Sequence, residues 1–157
     1  MASEPLFDMS LFDPDRVLVD IEGINAVNPQ RFEFQQLHGV CYIDRDAGHL
    51  AGVRNVREDE FWVRGHIPGR PIFPGVLMVE TSAQLVSYYI MSTFPERGFM
   101  GFGAVTDVKF RGAVVPGQRI VMLAKTAEIR KRRAVGLTQA WVDGKLVYEG
   151  TITGMWM

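Results

Sequence analysis

Residues 75–93 constrain this chain more than any other stretch. Val76, Leu77, Val79, Ala83, Val86, Tyr89 and Ile90 cover nearly every face of a helix, and Glu80 is the one charged residue among them. A helix that is apolar all round is stable only when surrounded, so the rest of the chain must supply a sheet that wraps it. The segments for that sheet are present. Val40, Tyr42 and Ile43 precede a polar, Gly-containing turn at 44–48, and 50–56 reads as the hairpin partner. Gly98, Gly101 and Gly103 read as a loop, after which strands are expected at about 104–111, 118–129, 134–142 and 145–156. Pro116-Gly117 marks one turn and Asp143-Gly144 a tight hairpin. Leu146, Tyr148, Ile152 and Trp156 are expected on one face of the last strand. The predicted class is α+β, an antiparallel sheet wrapped around one long buried central helix.

A chain of 157 residues is long enough for one domain with a substantial core. The reading places an acidic N-terminal leader at 1–30 and a single domain at 31–157. Residues 1–22 hold Glu4, Asp8, Asp13, Asp15, Asp20 and Glu22 against Arg16, a net of −5; with a total of −1, the remainder carries +4. Val17-Leu18-Val19 and Ile21 form a short element at most. The balance lacks the basic excess of a nucleic-acid binder. Cys41 is the only cysteine, which rules out an intrachain disulfide and suits a reducing, cytoplasmic compartment. The acidic N-terminus lacks the basic region of a secretory signal. The most apolar stretch, 76–91, is broken by Glu80 and Gln84 and is too short to span a bilayer.

The chemistry concentrates in residues 65–80, Gly-His-Ile-Pro-Gly-Arg-Pro-Ile-Phe-Pro-Gly-Val-Leu-Met-Val-Glu. Proline fixes φ and glycine frees it, so their alternation gives a loop of defined, unusual shape. The loop carries His66 and runs into the helix carrying Glu80. An imidazole, a carboxyl and a helix N-terminus together are the parts of an acid–base site that stabilises an oxyanion. Taken alone, His66 is as readily a structural hydrogen-bonder, and Glu80 a buried acid paired with Arg70. Gln84 lies one turn beyond Glu80 on the same face, as a supporting residue.

The run from Gly65 through Leu77, continued by Val79-Glu80 and Ala83-Gln84, resembles the β-hydroxyacyl–acyl carrier protein dehydratases of type II fatty acid synthesis. The resemblance resumes at Lys109-Phe110-Arg111, Val115-Pro116-Gly117 and Val142-Asp143-Gly144-Lys145, and covers roughly residues 37–156. It makes 31–157 a single hot-dog dehydratase-like domain and implies a homodimer with shared active sites, His66 of one subunit facing Glu80 of the other; a trimer of dimers is compatible with it. The implied reaction converts (3R)-3-hydroxyacyl-acyl carrier protein to the trans-2-enoyl form. His66 would be the base, Glu80 the acid, and the N–H groups of Gly75 and Val76 the oxyanion donors. No metal or dissociable cofactor is implied, since proton transfer and backbone donors supply the chemistry; the substrate is carried on the phosphopantetheine arm of acyl carrier protein. Family members usually begin near an Ile-Pro-His-Arg-Tyr/Phe-Pro run, of which Leu37–Asp44 is expected to keep a trace.

Other residues have plainer readings. Arg130-Lys131-Arg132-Arg133 is either a solvated hairpin tip or a docking site for the acidic carrier protein. Asp44, Asp46 and His49 match no standard metal spacing. Cys41, Tyr88 and Tyr89 read as core, and His38 is given no role. Two alternatives to dehydration remain: a hot-dog thioesterase, which would cleave saturated acyl thioesters, and an inactive acyl-binding homologue, which would bind without turnover.

Overall fold

The computed structural model describes residues 3–157. In chain order its main elements are α1 (Ile21–Asn25), β1 (Gly39–Asp44), β2 (His49–Asn55), α2 (Gly75–Thr93), β3 (Met100–Phe110), β4 (Arg119–Ile129), β5 (Arg133–Val142) and β6 (Lys145–Trp156). The six strands form one antiparallel sheet in the order β1-β2-β4-β5-β6-β3. The helix α2 packs on its inner face, giving the expected hot-dog arrangement.

The α2 boundaries follow from local chemistry. Pro74 sets an extended φ of −62° immediately before the helix, and Pro95 blocks its continuation past Phe94. From Met78 to Met91 most side chains are buried, Leu85 and Ile90 almost completely. Ser82 also satisfies its hydroxyl in the core, 3.0 Å from the Tyr148 hydroxyl, which lies 3.1 Å from Thr138 Oγ1. The β5–β6 hairpin turns through Asp143 and Gly144, both at positive φ (49° and 76°), as a tight primed turn demands.

Two strand expectations are corrected. Gly101 and Gly103 lie inside β3, which starts at Met100. These glycines make room for neighbouring methionines: a Cβ at residue 101 would lie 2.7 Å from Met157, and one at residue 103 would lie 2.5 Å from Met155. Leu146 does not share a face with Tyr148, Ile152 and Trp156. The β5–β6 register shifts between Ala140 and Trp141, which turns Leu146 onto the outer face beside Trp141.

The leader segment crosses that outer face. Phe7 is buried and stacks on His49 with ring centroids 4.5 Å apart, while Phe12 stacks on Tyr42 at 5.5 Å. Gln139 grips the leader backbone from β5: its amide oxygen accepts the Leu6 N–H at 2.9 Å and its nitrogen donates to the Glu4 carbonyl at 3.0 Å. Val19 then bridges to Val40 at the edge of β1, and Asp20 caps α1 through the Gly23 N–H. Among the described residues, no helix is long and apolar enough to cross a membrane.

Candidate active site

His66 stands exposed in the loop between β2 and α2, and its neighbours orient it. Its backbone N–H donates to the Trp62 carbonyl at 2.9 Å, and its Nδ1 lies 2.6 Å from the Ile72 carbonyl oxygen. A carbonyl oxygen only accepts, so Nδ1 carries a hydrogen and Nε2 is the ring nitrogen left open to a substrate. The loop returns to the body through Phe73, whose N–H donates to Val114 at 2.7 Å and whose buried ring meets Trp62 edge-on at 5.4 Å.

Glu80 is half-buried on α2. Burial pushes its carboxyl above the usual range, and a hydrogen bond from the Gln84 amide at 2.8 Å acts in the other direction. Arg70 is exposed and forms no ion pair with it among the described residues. Gln84 is 2% exposed and fully committed. Its nitrogen also donates to the Phe34 carbonyl at 2.7 Å, and its oxygen accepts the N–H groups of Gln36 (2.9 Å) and Leu37 (3.1 Å).

Along the chain, the start of α2 falls between His66 and Glu80. Among the described residues no side chain caps it, and the Leu77 N–H turns back to Pro74, which leaves the N–H groups of Gly75 and Val76 as free donors at the positive end of the helix dipole. A side-chain carbon at residue 75 would lie 2.8 Å from the Phe110 ring, so packing as well as backbone access requires glycine there. Within one chain, no hydrogen bond or ion pair joins His66 to Glu80 among the described residues.

The remaining candidates sit apart. Arg130 and Arg133 both pair with Glu128 at the β4–β5 hairpin tip, where Arg97, just past the end of α2, donates to the Arg130 carbonyl. The 19 residues of α2 at 1.5 Å each separate that end from Gly75 by roughly 27 Å. Burial and the Arg54 charge hold His38 down at about 4, and its Nδ1 accepts the Asn55 N–H, so the ring is neutral and engaged. Burial pushes the Cys41 thiol up to about 11, far from a nucleophile's range. Asp44 caps the Ala47 N–H, and Tyr88 and Tyr89 are core residues.

Sequence reasoning misses Arg54, Glu60 and Gln36. Arg54 is 1% exposed and ion-paired to Glu60, with Gln36 completing the cluster. A signal exists: alternation along β2 puts Arg54 on the inward face with Leu50 and Gly52, where a charge needs a buried partner.

Residues 28–151 match the FabA-like domain. The chain belongs to the FabA-like family. It is 36% identical over 137 residues to the 3-hydroxyacyl-[acyl-carrier-protein] dehydratase FabZ of Streptococcus pneumoniae, spanning 87% of this chain and 96% of the relative. Against the enzyme of that name from Streptococcus pyogenes it is 37% identical over 136 residues, covering 86% and 96%. Its fold is similar to the dehydratase heterocomplex ApeI:P from Xenorhabdus doucetiae, with a TM-score of 0.72 at 13% identity, over 85% of this chain and 90% of that one. A mutant thioesterase from Pseudomonas aeruginosa is also similar, with a TM-score of 0.65 at 18% identity, over 89% and 95%. At these identities the two structures share the hot-dog fold alone.

Arg31 closes the turn after α1: its guanidinium donates to the carbonyls of Asn25, Asn28 and Gln30.

Proposed function

We propose that this chain dehydrates (3R)-3-hydroxyacyl-acyl carrier protein to the trans-2-enoyl form, as the names of its FabA-like relatives indicate. The observation that carries the residue roles is the opposite setting of two groups. His66 is exposed and turns its Nδ1–H to the Ile72 carbonyl, which reserves Nε2 for the substrate, while burial raises the pKa of the half-buried Glu80.

In this reading His66 Nε2 takes a proton from C2 of the acyl chain. The negative charge moves onto the thioester oxygen, which the Gly75 and Val76 N–H groups stabilise. Glu80 gives its proton to the 3-hydroxyl, which leaves as water as the C2–C3 double bond forms. Exchange with solvent then returns the proton from His66 and restores the one on Glu80. An oxyanion donor of this type is worth about 3 kcal/mol of barrier. Proton transfer and backbone donors supply the whole reaction, so no dissociable cofactor enters it.

The catalytic unit in this proposal is a homodimer in the cytoplasm, with His66 of one subunit serving Glu80 of the other. Support comes from β3, an 11-residue edge strand that among the described residues pairs only with β6 and exposes Phe102, Val105 and Phe110. A long apolar edge of this kind is a template for a second strand. The acidic carrier protein would dock at the His66 end, where Arg64 and Arg70 are exposed and free of ion pairs among the described residues. Arg130–Arg133 would serve docking only for a site other than that of their own chain.

The test is hydration of a crotonyl thioester, followed by loss of enoyl absorbance. Wild-type turnover that drops by about 10²-fold or more in both His66→Asn and Glu80→Gln supports the assignment. A folded wild type with no turnover overturns it, and hydrolysis of saturated thioesters would replace it with a thioesterase.

A further inference from the structure

The Arg54 guanidinium joins three segments that build the site. Its terminal nitrogens donate to both Glu60 carboxylate oxygens (2.5 and 2.8 Å), to Gln36 Oε1 (2.6 Å) and to the Asn55 carbonyl (2.7 Å). The group also lies 4.8 Å from the centre of the Phe73 ring. Each partner belongs to a different part of the machinery. Gln36 donates its backbone N–H to Gln84, the residue that holds Glu80. Glu60 lies in the loop that carries His66 and accepts the Arg57 N–H at 2.7 Å, which fixes that loop's entrance. Phe73 immediately precedes the Pro74-Gly75 start of α2.

Stability alone does not explain such a cluster. A buried ion pair replaced by apolar groups of the same shape is often as stable or more so. What the planar guanidinium adds is direction, because its fork binds a carboxylate in two places at a fixed angle. Burial raises the Glu60 carboxyl, but the Arg54 and Arg57 hydrogen bonds outweigh it, so Glu60 stays ionised and the fork stays closed.

We infer that Arg54 is a positioning residue that sets the acid support at Gln84, the His66 loop and the start of α2 in register with one another. The inference rests on the dehydratase reading above for its kinetic consequence, but not for its structural one.

Three variants separate the links. Gln36→Ala keeps the backbone N–H that bonds Gln84 but removes the side chain that Arg54 holds, so it unlinks Arg54 from the Gln84 support and leaves the Arg54–Glu60 pair whole. Arg54→Met cuts all of the contacts, and Arg54→Lys keeps the charge without the fork. In crotonyl thioester hydration, Gln36→Ala and Arg54→Met should each lower kcat by about 10- to 100-fold with KM within about twofold, as a displaced catalytic group does. Arg54→Lys should recover part of the loss. The effect of Arg54→Met should shrink in the Gln36→Ala background, since the two act through one contact. Hydrogen exchange at the Gln36 and Leu37 amides should speed up in both variants relative to the β4 and β5 amides.

Unchanged kcat and unchanged exchange in folded Gln36→Ala would overturn the inference, and that variant decides alone if Arg54→Met does not fold. A wild type without dehydratase turnover would sink the functional reading, and the exchange measurement would still decide the positioning.

Discussion

The Gln84 side chain donates to the Glu80 carboxylate at 2.8 Å from one helical turn away, and the same amide group fastens residues 34–37 to α2. Gln84→Leu therefore does two things at once. It strands the N–H groups of Gln36 and Leu37 and the Phe34 carbonyl, at about 1–3 kcal/mol for each group that stays dry. It also removes the one influence that lowers the Glu80 carboxyl while leaving its burial intact. Chemical denaturation should show a loss of roughly 3 kcal/mol, and a carboxyl carbon titration should show the Glu80 midpoint moving up. A midpoint that moves down would mean that Gln84 does not hold the carboxylate in solution.

Burial of Glu80 has its own signature in the pH dependence of stability. Its folded-state pKa is raised above the unfolded value, so protonation favours the folded chain. That stabilisation is complete below the unfolded pKa and is lost as pH rises through the folded one. Glu80→Gln carries no such penalty and keeps an acceptor for Gln84. The variant should match the wild type near pH 4 and exceed it at pH 8, by about 1.4 kcal/mol for each unit by which the midpoint is raised. Denaturation midpoints across that range measure it; a variant less stable than the wild type at pH 8 would refute the burial argument.

On the outer face of the sheet, Phe7 fills a place between His49, Tyr42 and Phe12. Phe7→Ala should cost about 3 kcal/mol, at the lower end for a buried phenylalanine because the leader has room to relax. Dehydration by the folded variant should be unchanged, because this cluster lies across the sheet from α2. A drop in kcat as large as in His66→Asn would show that the leader acts on the site.

The sequence makes α2 legible because Pro74 and Pro95 bracket an apolar run, and its predicted and observed bounds agree. The hairpin at Asp143-Gly144 is equally plain, since its turn chemistry is local. What stays hidden is register. A one-residue shift between Ala140 and Trp141 moves Leu146 to the other face, and nothing in the alternation of β6 announces it. The same holds at the site. His66, Glu80 and Gln84 stand out through local spacing, whereas the Arg54–Glu60–Gln36 cluster joins three distant segments and emerges only when β2, the His66 loop and the run after α1 come together. The leader is invisible as a packing element because its anchor, Gln139, reads backbone and so leaves no pattern in residues 4–6.

The shared-site dimer makes a quantitative demand. In a two-fold dimer each site would take His66 from one chain and Glu80 from the other. His66→Ala and Glu80→Ala homodimers then contain no complete site. A mixed dimer contains one site with both residues intact and one with neither. After equal mixing and subunit exchange, half of the dimers are mixed and half of their sites are whole, so activity should recover to about a quarter of wild type. Sites built within single chains would give no recovery, because every chain in the mixture lacks one of the two residues. Crotonyl thioester hydration, measured before and after exchange through partial denaturation and refolding, separates the two cases. The interface itself is tested by placing a charge on the exposed β3 edge. Val105→Glu should lower the proportion of dimer and, with it, the activity recovered on mixing.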